Sequence, residues 1–362
     1  MSHPLFADSA TIIQHVKNAG YRGGAFPNAA DNLNAEVMQA AQNTISNWPD
    51  YAPTPLLSLA PVADLCGVGA VYYKDESHRF GLKSFKALGG AYAVAQLVDA
   101  EKKAGRDPAQ LTVTTATDGN HGRSLAWGAQ LAGCRAEIYI HQHVSSARET
   151  AMANYGANVT RVNGNYEASL AACKADAEAH GWHIVSDTSW TGYRNIPLLI
   201  MAGYTLMGQE VIKQLGANKL THCFLPVGVG GLAGGIVAPI WQQMNADLPC
   251  MISVESHMSA CFLESIAAQT PTLVDISEET LMAGLSCGEV SALAWELLQP
   301  SLSHCLAIDD AAVAALMAKF ADGTIGGMPI EAGECATSGL AALLAAKQDP
   351  QRWQQLGLSA DS

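Results

Sequence analysis

The sequence predicts an α/β fold with mainly parallel sheets. Three observations lead there. Strand and helix signals alternate along most of the chain. The strand signals are short, apolar and uninterrupted, as in sheets covered on both faces. Two strand-to-helix turns are rich in glycine or small polar residues, and open α/β sheets place their ligands at such turns. In order, strands are expected at 71–74, 112–115, 136–140, 159–162, 184–186, 222–227 and 251–255. Helices are expected at 87–104, 123–132, 145–155, 166–180, 202–215, 233–245 and 309–320. Residues 20–32 read as loop, and no repeat period is evident.

Composition narrows the function classes. The 362 residues are 49% hydrophobic, enough for two domains with sizeable cores. Twenty basic against 33 acidic residues give a charge of −13, with no basic cluster. That argues against nucleic acid and anionic membranes as partners. The nine cysteines are odd in number and form no Cys-x-x-Cys, so no metal is expected and a reduced cytoplasm fits best. Residues 1–16 contain no signal-peptide core, and no apolar run approaches membrane-spanning length.

Lys86 is the most informative residue. It lies in Lys74-Asp75-Glu76-Ser77-His78-Arg79-Phe80-Gly81-Leu82-Lys83-Ser84-Phe85-Lys86-Ala87-Leu88-Gly89-Gly90. A strand there runs into a polar loop, and a helix begins near Ser84. A lysine in the first turn of a helix meets an unfavourable dipole and free backbone N–H groups. A solvating lysine gains nothing from that place, whereas an imine-forming lysine gains a lowered pKa and a fixed direction. A plain surface lysine is the alternative for this segment taken alone.

Val227-Gly228-Val229-Gly230-Gly231-Leu232-Ala233-Gly234-Gly235 follows an apolar strand and opens a helix. Clustered glycines and a helix start suit an anion such as phosphate. No Gly-Lys-Ser/Thr follows, so it is not a Walker A loop. It does fit the dinucleotide pattern Gly228-x-Gly230-x-x-Ala233, with Glu255 placed 27 positions after Gly228 where ~20 is usual. A phosphate cradle, an NAD turn and a purely structural turn therefore all remain open for this loop.

A third segment is Thr117-Asp118-Gly119-Asn120-His121-Gly122-Arg123, between another strand and another helix. Asp118, Asn120 and His121 cannot all enter a core without partners. They offer a carboxylate and an amide to a bound ring, or else helix caps. An imine-forming lysine, a neutral hydrogen bonder and a phosphate cradle together meet the needs of pyridoxal 5'-phosphate.

On these motifs the chain resembles the fold-type II pyridoxal-phosphate enzymes, the tryptophan-synthase-β and serine-dehydratase group. Within that group it is most similar to the diaminopropionate ammonia-lyases. The matching pieces are Tyr51-x-Pro53-Thr54-Pro55-Leu56, Lys74-Asp75-Glu76-Ser77-x-Arg79-Phe80-Gly81-Leu82 and Ser84-Phe85-Lys86-x-Leu88-Gly89-Gly90-Ala91-Tyr92. They continue through Thr117-Asp118-Gly119-Asn120-His121-Gly122-Arg123, Asp187-Thr188-x-Trp190-x-Gly192-Tyr193, Gly228-Val229-Gly230 and Met282-Ala283-Gly284-Leu285-x-Cys287-Gly288-Glu289. The first fifty residues match weakly.

The resemblance implies two α/β domains, with 87–189 inserted into a larger domain of 1–86 and 190–362, and the cofactor in the cleft between them. It implies a cytoplasmic homodimer acting on a small amino acid. The reaction implied is α,β-elimination of ammonia from 2,3-diaminopropionate, giving pyruvate. Lys86 would carry the cofactor and serve as base for the L-isomer, and Asp118 as base for the D-isomer. Asp187 would contact the substrate's second amine, although the residues alone equally allow a turn or helix cap there, and Trp190 beside it is expected to desolvate it in part and raise its pKa. Loss of the amine needs a proton donor, for which Asp118 and Asp187 are the candidates. Asn120 would bond the ring hydroxyl, Phe85 would pack near the ring, where an aromatic beside a helix start is more often plain core, and N–H groups of Gly228, Val229, Gly230, Gly231 and Leu232 would hold the phosphate. Simple dehydratases of the group carry a small hydroxyl residue where this chain has Asp118, which favours a diamino acid over serine or threonine. A dehydratase or other β-eliminase, and a non-catalytic cofactor-binding paralogue, are the alternatives. An NAD oxidoreductase leaves Lys86 and Asp118 unexplained.

Two departures stand out. The Gly-Glu-Ser-Gly segment of the lyases is altered here to Gly333-Glu334-Cys335-Ala336, where Glu334 reads as a helix-start residue. The relatives' late Ser-Thr-Glu-Gly-type strand, near the cofactor's ring nitrogen, has no match before Ser362. Either a segment is missing or another residue fills that place.

Overall fold

The computed structural model of the chain describes residues 4–6, 9–26, 33–117, 119–190 and 192–362. The elements run β1 (Ile12–Lys17), α1 (Ala35–Ile45), β2 (Leu56–Ser58), α2 (Ala60–Cys66), β3 (Tyr72–Lys74), α3 (Lys86–Lys103), β4 (Thr112–Ala116), α4 (Asn120–Ala132) and β5 (Arg135–His141). Then come α5 (Ser146–Ala153), β6 (Asn158–Val162), α6 (Tyr166–His180), β7 (His183–Ile184), α7 (Asn195–Leu215), β8 (His222–Pro226), α8 (Gly231–Met244) and β9 (Cys250–Ser256). The chain closes with α9 (Cys261–Ala268), α10 (Ala292–Leu298), β10 (Leu302–Ile308), α11 (Val313–Ala321), α12 (Ser338–Gln348) and α13 (Pro350–Gln355).

These pack into two compact units. One comprises Met1–Asn32, Pro53–Ser77 and Met207–Ser362, the other Leu33–Ala52 and His78–Leu206. This packing partition places 33–52, 78–86 and 190–206 with the inserted segment, so it differs from the division that the resemblance implies.

The second unit holds a wholly parallel sheet, β6-β5-β4-β7. Every residue of β4 is buried, which is why its sequence shows no polar alternation. Helices α3 and α4 touch backbone to backbone. A Cβ on Gly128 would stand 2.6 Å from Ala91 Cα, and one on Gly90 would stand 2.4 Å from Ser124 Oγ. The Gly89-Gly90 pair is therefore a packing requirement next to Lys86.

The first unit holds the sheet β1-β10-β9-β8, in which only β1 runs antiparallel, and a separate two-stranded antiparallel sheet, β2-β3. Helix α12 is buried almost all round, and Leu340 and Leu344 join Ile252, Val254, Leu306, Ile308 and Phe320 in the core. No helix among the described residues is long and apolar enough to cross a membrane.

The seven expected strands are present, shifted by one or two residues at their ends. Sequence reading misses β1, β2 and β10. β1 is an edge strand whose Ile13 is exposed, so its polarity does not alternate cleanly. Helix α7 starts seven residues before its expected position, because Pro197 falls in its first turn, where a missing N–H is harmless. Helix α11 starts four residues late. Asp309 Oδ1 instead accepts from Thr11 N (3.1 Å) and Ala311 N (3.2 Å), and Asp310 accepts from Leu281 N (2.7 Å).

One polar contact in this unit sets a pH response. His15 Nε2 on β1 meets His304 Nδ1 on β10 at 2.9 Å. Burial, then the nearby His15, Lys17 and His222, push the His304 pKa down to about 4. The folded value lies below the ordinary 6.5, so the unfolded chain binds more protons between those two pH values. From this group, stability is expected to be full above pH ~6.5 and to fall by up to ~3 kcal/mol as pH drops toward 4. Urea denaturation of His304→Gln across that range is expected to show a flatter pH dependence than the unsubstituted chain.

Candidate active site

Lys86 is the first residue of α3, and its backbone N–H donates to Ser84 Oγ at 3.2 Å. The chain enters through an irregular turn in which Phe80 (φ 50°), Gly81 (φ 69°) and Lys83 (φ 54°) are left-handed. For Phe80 and Lys83 this costs roughly 1 kcal/mol or more each. Surrounding bonds hold the turn: Leu82 N donates to Arg79 O (2.9 Å) and the Arg123 guanidinium donates to Leu82 O. Ser124 Oγ on α4 donates to Lys86 O at 2.7 Å. The backbone of Lys86 is thus fixed from two elements.

Its amine pairs with Asp187, Lys86 Nζ donating to Asp187 Oδ2. The two side chains are 25% and 28% exposed. Asp187 lies in the segment after β7, which is tied down at several points. Val185 N donates to Thr114 O on β4 (2.8 Å). Tyr193 Oη accepts from Ser186 N (2.9 Å) and donates to Ile184 O (2.8 Å). His121 Nε2 donates to Val185 O at 2.8 Å, so the ring nitrogen nearer this bond carries the proton. His121 Nδ1 is buried with no hydrogen-bond partner among the described residues.

Burial pushes the Asp187 carboxyl upward, but Lys86 and then His121 outweigh it, and the group is held well below the usual carboxylate range. This corrects the expected rise. Trp190, named as the desolvating group, is 39% exposed and stacks on Tyr193 with centroids 4.1 Å apart, and Lys174 Nζ lies 5.4 Å from its ring centroid. Lys86, with His121 behind it, and not Trp190, sets the direction of the Asp187 shift.

Phe85 packs edge-on to Tyr204 (5.1 Å, 70°), and Lys86 Nζ lies 5.6 Å from the Phe85 ring centroid. Asn120 is the first residue of α4 and is exposed. Its Oδ1 accepts from Arg123 Nη2 (3.1 Å), and its amide nitrogen donates to no described residue. Asp118 lies outside the described residues.

In the other unit, α8 begins at Gly231, with Gly230 at φ 96° as its cap and no side-chain cap. A Cβ on Gly230 would stand 2.6 Å from the Phe262 ring, so glycine is required twice over. The N–H groups of Gly228, Val229, Gly230, Gly231, Leu232 and Ala233 donate to no acceptor among the described residues. Six such donors at the start of a helix form an anion cradle. Gly228 itself is crowded by the Met282–Glu289 motif, since a Cβ there would stand 3.1 Å from both Cys287 Sγ and Gly284 O.

Glu255 settles one alternative. Its carboxylate caps α9, accepting from Phe262 N and Leu263 N at 2.8 Å each, and it is fully buried. Burial raises its pKa to about 8. It is committed to the fold and is not presented to a ribose. Glu334 opens a single turn before α12, its carbonyl accepting from Thr337 Oγ1 at 2.8 Å.

Taken separately, the amine fixed at a helix start beside a carboxylate in one unit suits an aldehyde, and the row of N–H donors at a helix start in the other suits a phosphate, the two reactive ends of pyridoxal phosphate. Sequence reasoning missed Tyr193, Ser124 and Tyr204. Tyr193 stood in a quoted motif without a role, and the other two lie inside helices where they read as ordinary packing.

The pattern of the family described as "Pyridoxal-phosphate dependent enzyme" matches residues 48–356. Diaminopropionate ammonia-lyase of Escherichia coli (strain K12) is 36% identical over 329 residues, covering 86% of this chain and 82% of that protein. Two crystal structures of the Escherichia coli lyase each cover 98% of this chain and 92% of theirs, at a TM-score of 0.86. The one in complex with D-serine is 33% identical, and the one in complex with an aminoacrylate-PLP azomethine reaction intermediate is 34% identical. With more than half its length matched by the family pattern, this chain belongs to the pyridoxal-phosphate dependent enzymes.

Proposed function

We propose that the chain is an ammonia-lyase that eliminates ammonia from 2,3-diaminopropionate to give pyruvate. The observation that carries this reading is the Lys86–Asp187 pair, an amine with an anion at its side. A substrate with a second ammonium finds in Asp187 a carboxylate already ionised at neutral pH. The name and reaction intermediate of the similar lyases support the same substrate.

Bound at Lys86, pyridoxal phosphate supplies an electron sink that makes the substrate Cα proton removable. Lys86 is the attachment point and takes that proton from the L-isomer. Asp118 takes it from the D-isomer. Asp187, ionised beside Lys86, anchors the β-ammonium, which already carries its proton and departs as ammonia; a donor, Asp118 or Asp187, is needed only when the β-amine is neutral. Asn120 offers its amide N–H to the ring hydroxyl, and Phe85 flanks the ring. Gly228, Val229, Gly230, Gly231 and Leu232 hold the phosphate through their N–H groups. We further infer a cytoplasmic homodimer whose larger domain is 1–86 with 190–362.

A substrate panel tests the reading. Purified chain loaded with pyridoxal phosphate is expected to release pyruvate and two equivalents of ammonia from D- and L-diaminopropionate, at least about tenfold faster than pyruvate from serine. Faster turnover of serine or threonine would make it a dehydratase, and no turnover of any of them would make it a binding protein.

A further inference from the structure

Tyr204 is left over when the site has been accounted for. It lies on α7 and is 1% exposed, yet its hydroxyl has no hydrogen-bond partner among the described residues. An orphaned buried hydroxyl costs on the order of 1–3 kcal/mol, so phenylalanine would be the cheaper residue here if packing were all that mattered.

Its surroundings point at Lys86. The ring sits against Gly89, where a Cβ would stand 2.5 Å from Tyr204 Cε1 and 2.7 Å from Cζ, the carbon that bears the hydroxyl. Gly89 is three residues after Lys86, on the same face of α3. Phe85 touches both groups, packing edge-on to the tyrosine ring and lying under the lysine amine. Burial raises the Tyr204 pKa, and the Lys86 ammonium is the chief influence in the other direction.

We propose that the Tyr204 hydroxyl is a second acceptor for the Lys86 amine, a positioning residue that holds Nζ when Asp187 turns to the substrate. This rests on the lyase reading above. A neutral amine that is to take a proton has two N–H bonds and one lone pair. An N–H directed to Tyr204 Oη leaves the lone pair free and aimed. Once the amine has gained its proton, the same buried oxygen solvates the cation on the side turned away from solvent.

The test is Tyr204→Phe in the full-length chain, which keeps the ring and deletes only the hydroxyl, so folding is expected to be intact. In protein freed of pyridoxal phosphate, acetylation of Lys86 by acetic anhydride is followed by mass spectrometry across pH. The half-point is expected to fall by roughly half a pH unit or more, because the charged form loses the nearby hydroxyl available to accept from it. In loaded protein, turnover of the L-isomer is expected to drop about tenfold while the D-isomer changes less than about twofold. Unchanged labelling together with an unchanged L-to-D ratio would overturn the proposal and leave Tyr204 as core. Should the unsubstituted chain fail to turn over diaminopropionate, the substrate reading falls, while the labelling still decides the part played by Tyr204.

Discussion

Lys86→Ala is expected to lower turnover of both diaminopropionate isomers at least about a thousandfold. Alanine removes the attachment point for the cofactor and the base for one substrate isomer together. It also removes the cation that keeps Asp187 ionised. Burial then becomes the main influence on that carboxyl and raises it toward or above its ordinary range. The helix itself should be indifferent, since alanine is the best helix former and the backbone bonds to Ser84 and Ser124 do not involve the side chain. Circular dichroism is expected to match the unsubstituted chain, which separates lost chemistry from lost fold. Steady-state pyruvate release is the measurement, and retention of more than about a tenth of the activity would contradict the role given to the lysine.

The second large effect is that of Asp187→Asn. The amide keeps the shape and loses the charge, so the β-ammonium of the substrate loses its anionic anchor. Turnover of diaminopropionate at low substrate is expected to fall about a hundredfold, mostly through a raised KM. Serine, which has no second ammonium, is expected to lose less than about a fifth as much. Stability should fall by less than ~1 kcal/mol, because both partners are about a quarter exposed and solvent screens the pair. Equal losses on the two substrates would show that Asp187 serves the common chemistry and not the second amine.

The parts of this site legible in sequence are those where local chemistry is unusual. Lys86 at a helix start and the glycine loop before α8 break local rules, and broken rules mark function. Most strands of the two four-stranded sheets are legible as short apolar runs, β1 and β10 excepted. What escaped notice depends on distant partners. β1 is defined by pairing with β10, some 290 residues away, and no local signal announces it. The Asp187 pKa was read from its sequence neighbour Trp190, although the lysine 101 residues earlier controls it. Glu255 fits a dinucleotide pattern by position, yet its two bonds to the start of α9 give it a structural task. Tyr204 looks like core in sequence, and only its unmatched hydroxyl and the missing side chain of Gly89 mark it out.

Everything proposed for this chain requires that vitamin B6 phosphate join one particular amine. Loaded protein is reduced with borohydride, digested and mapped by mass spectrometry. A single pyridoxyl group on the peptide containing Ser84-Phe85-Lys86 is the expected result. A pyridoxyl group on another lysine, or on none, would contradict it.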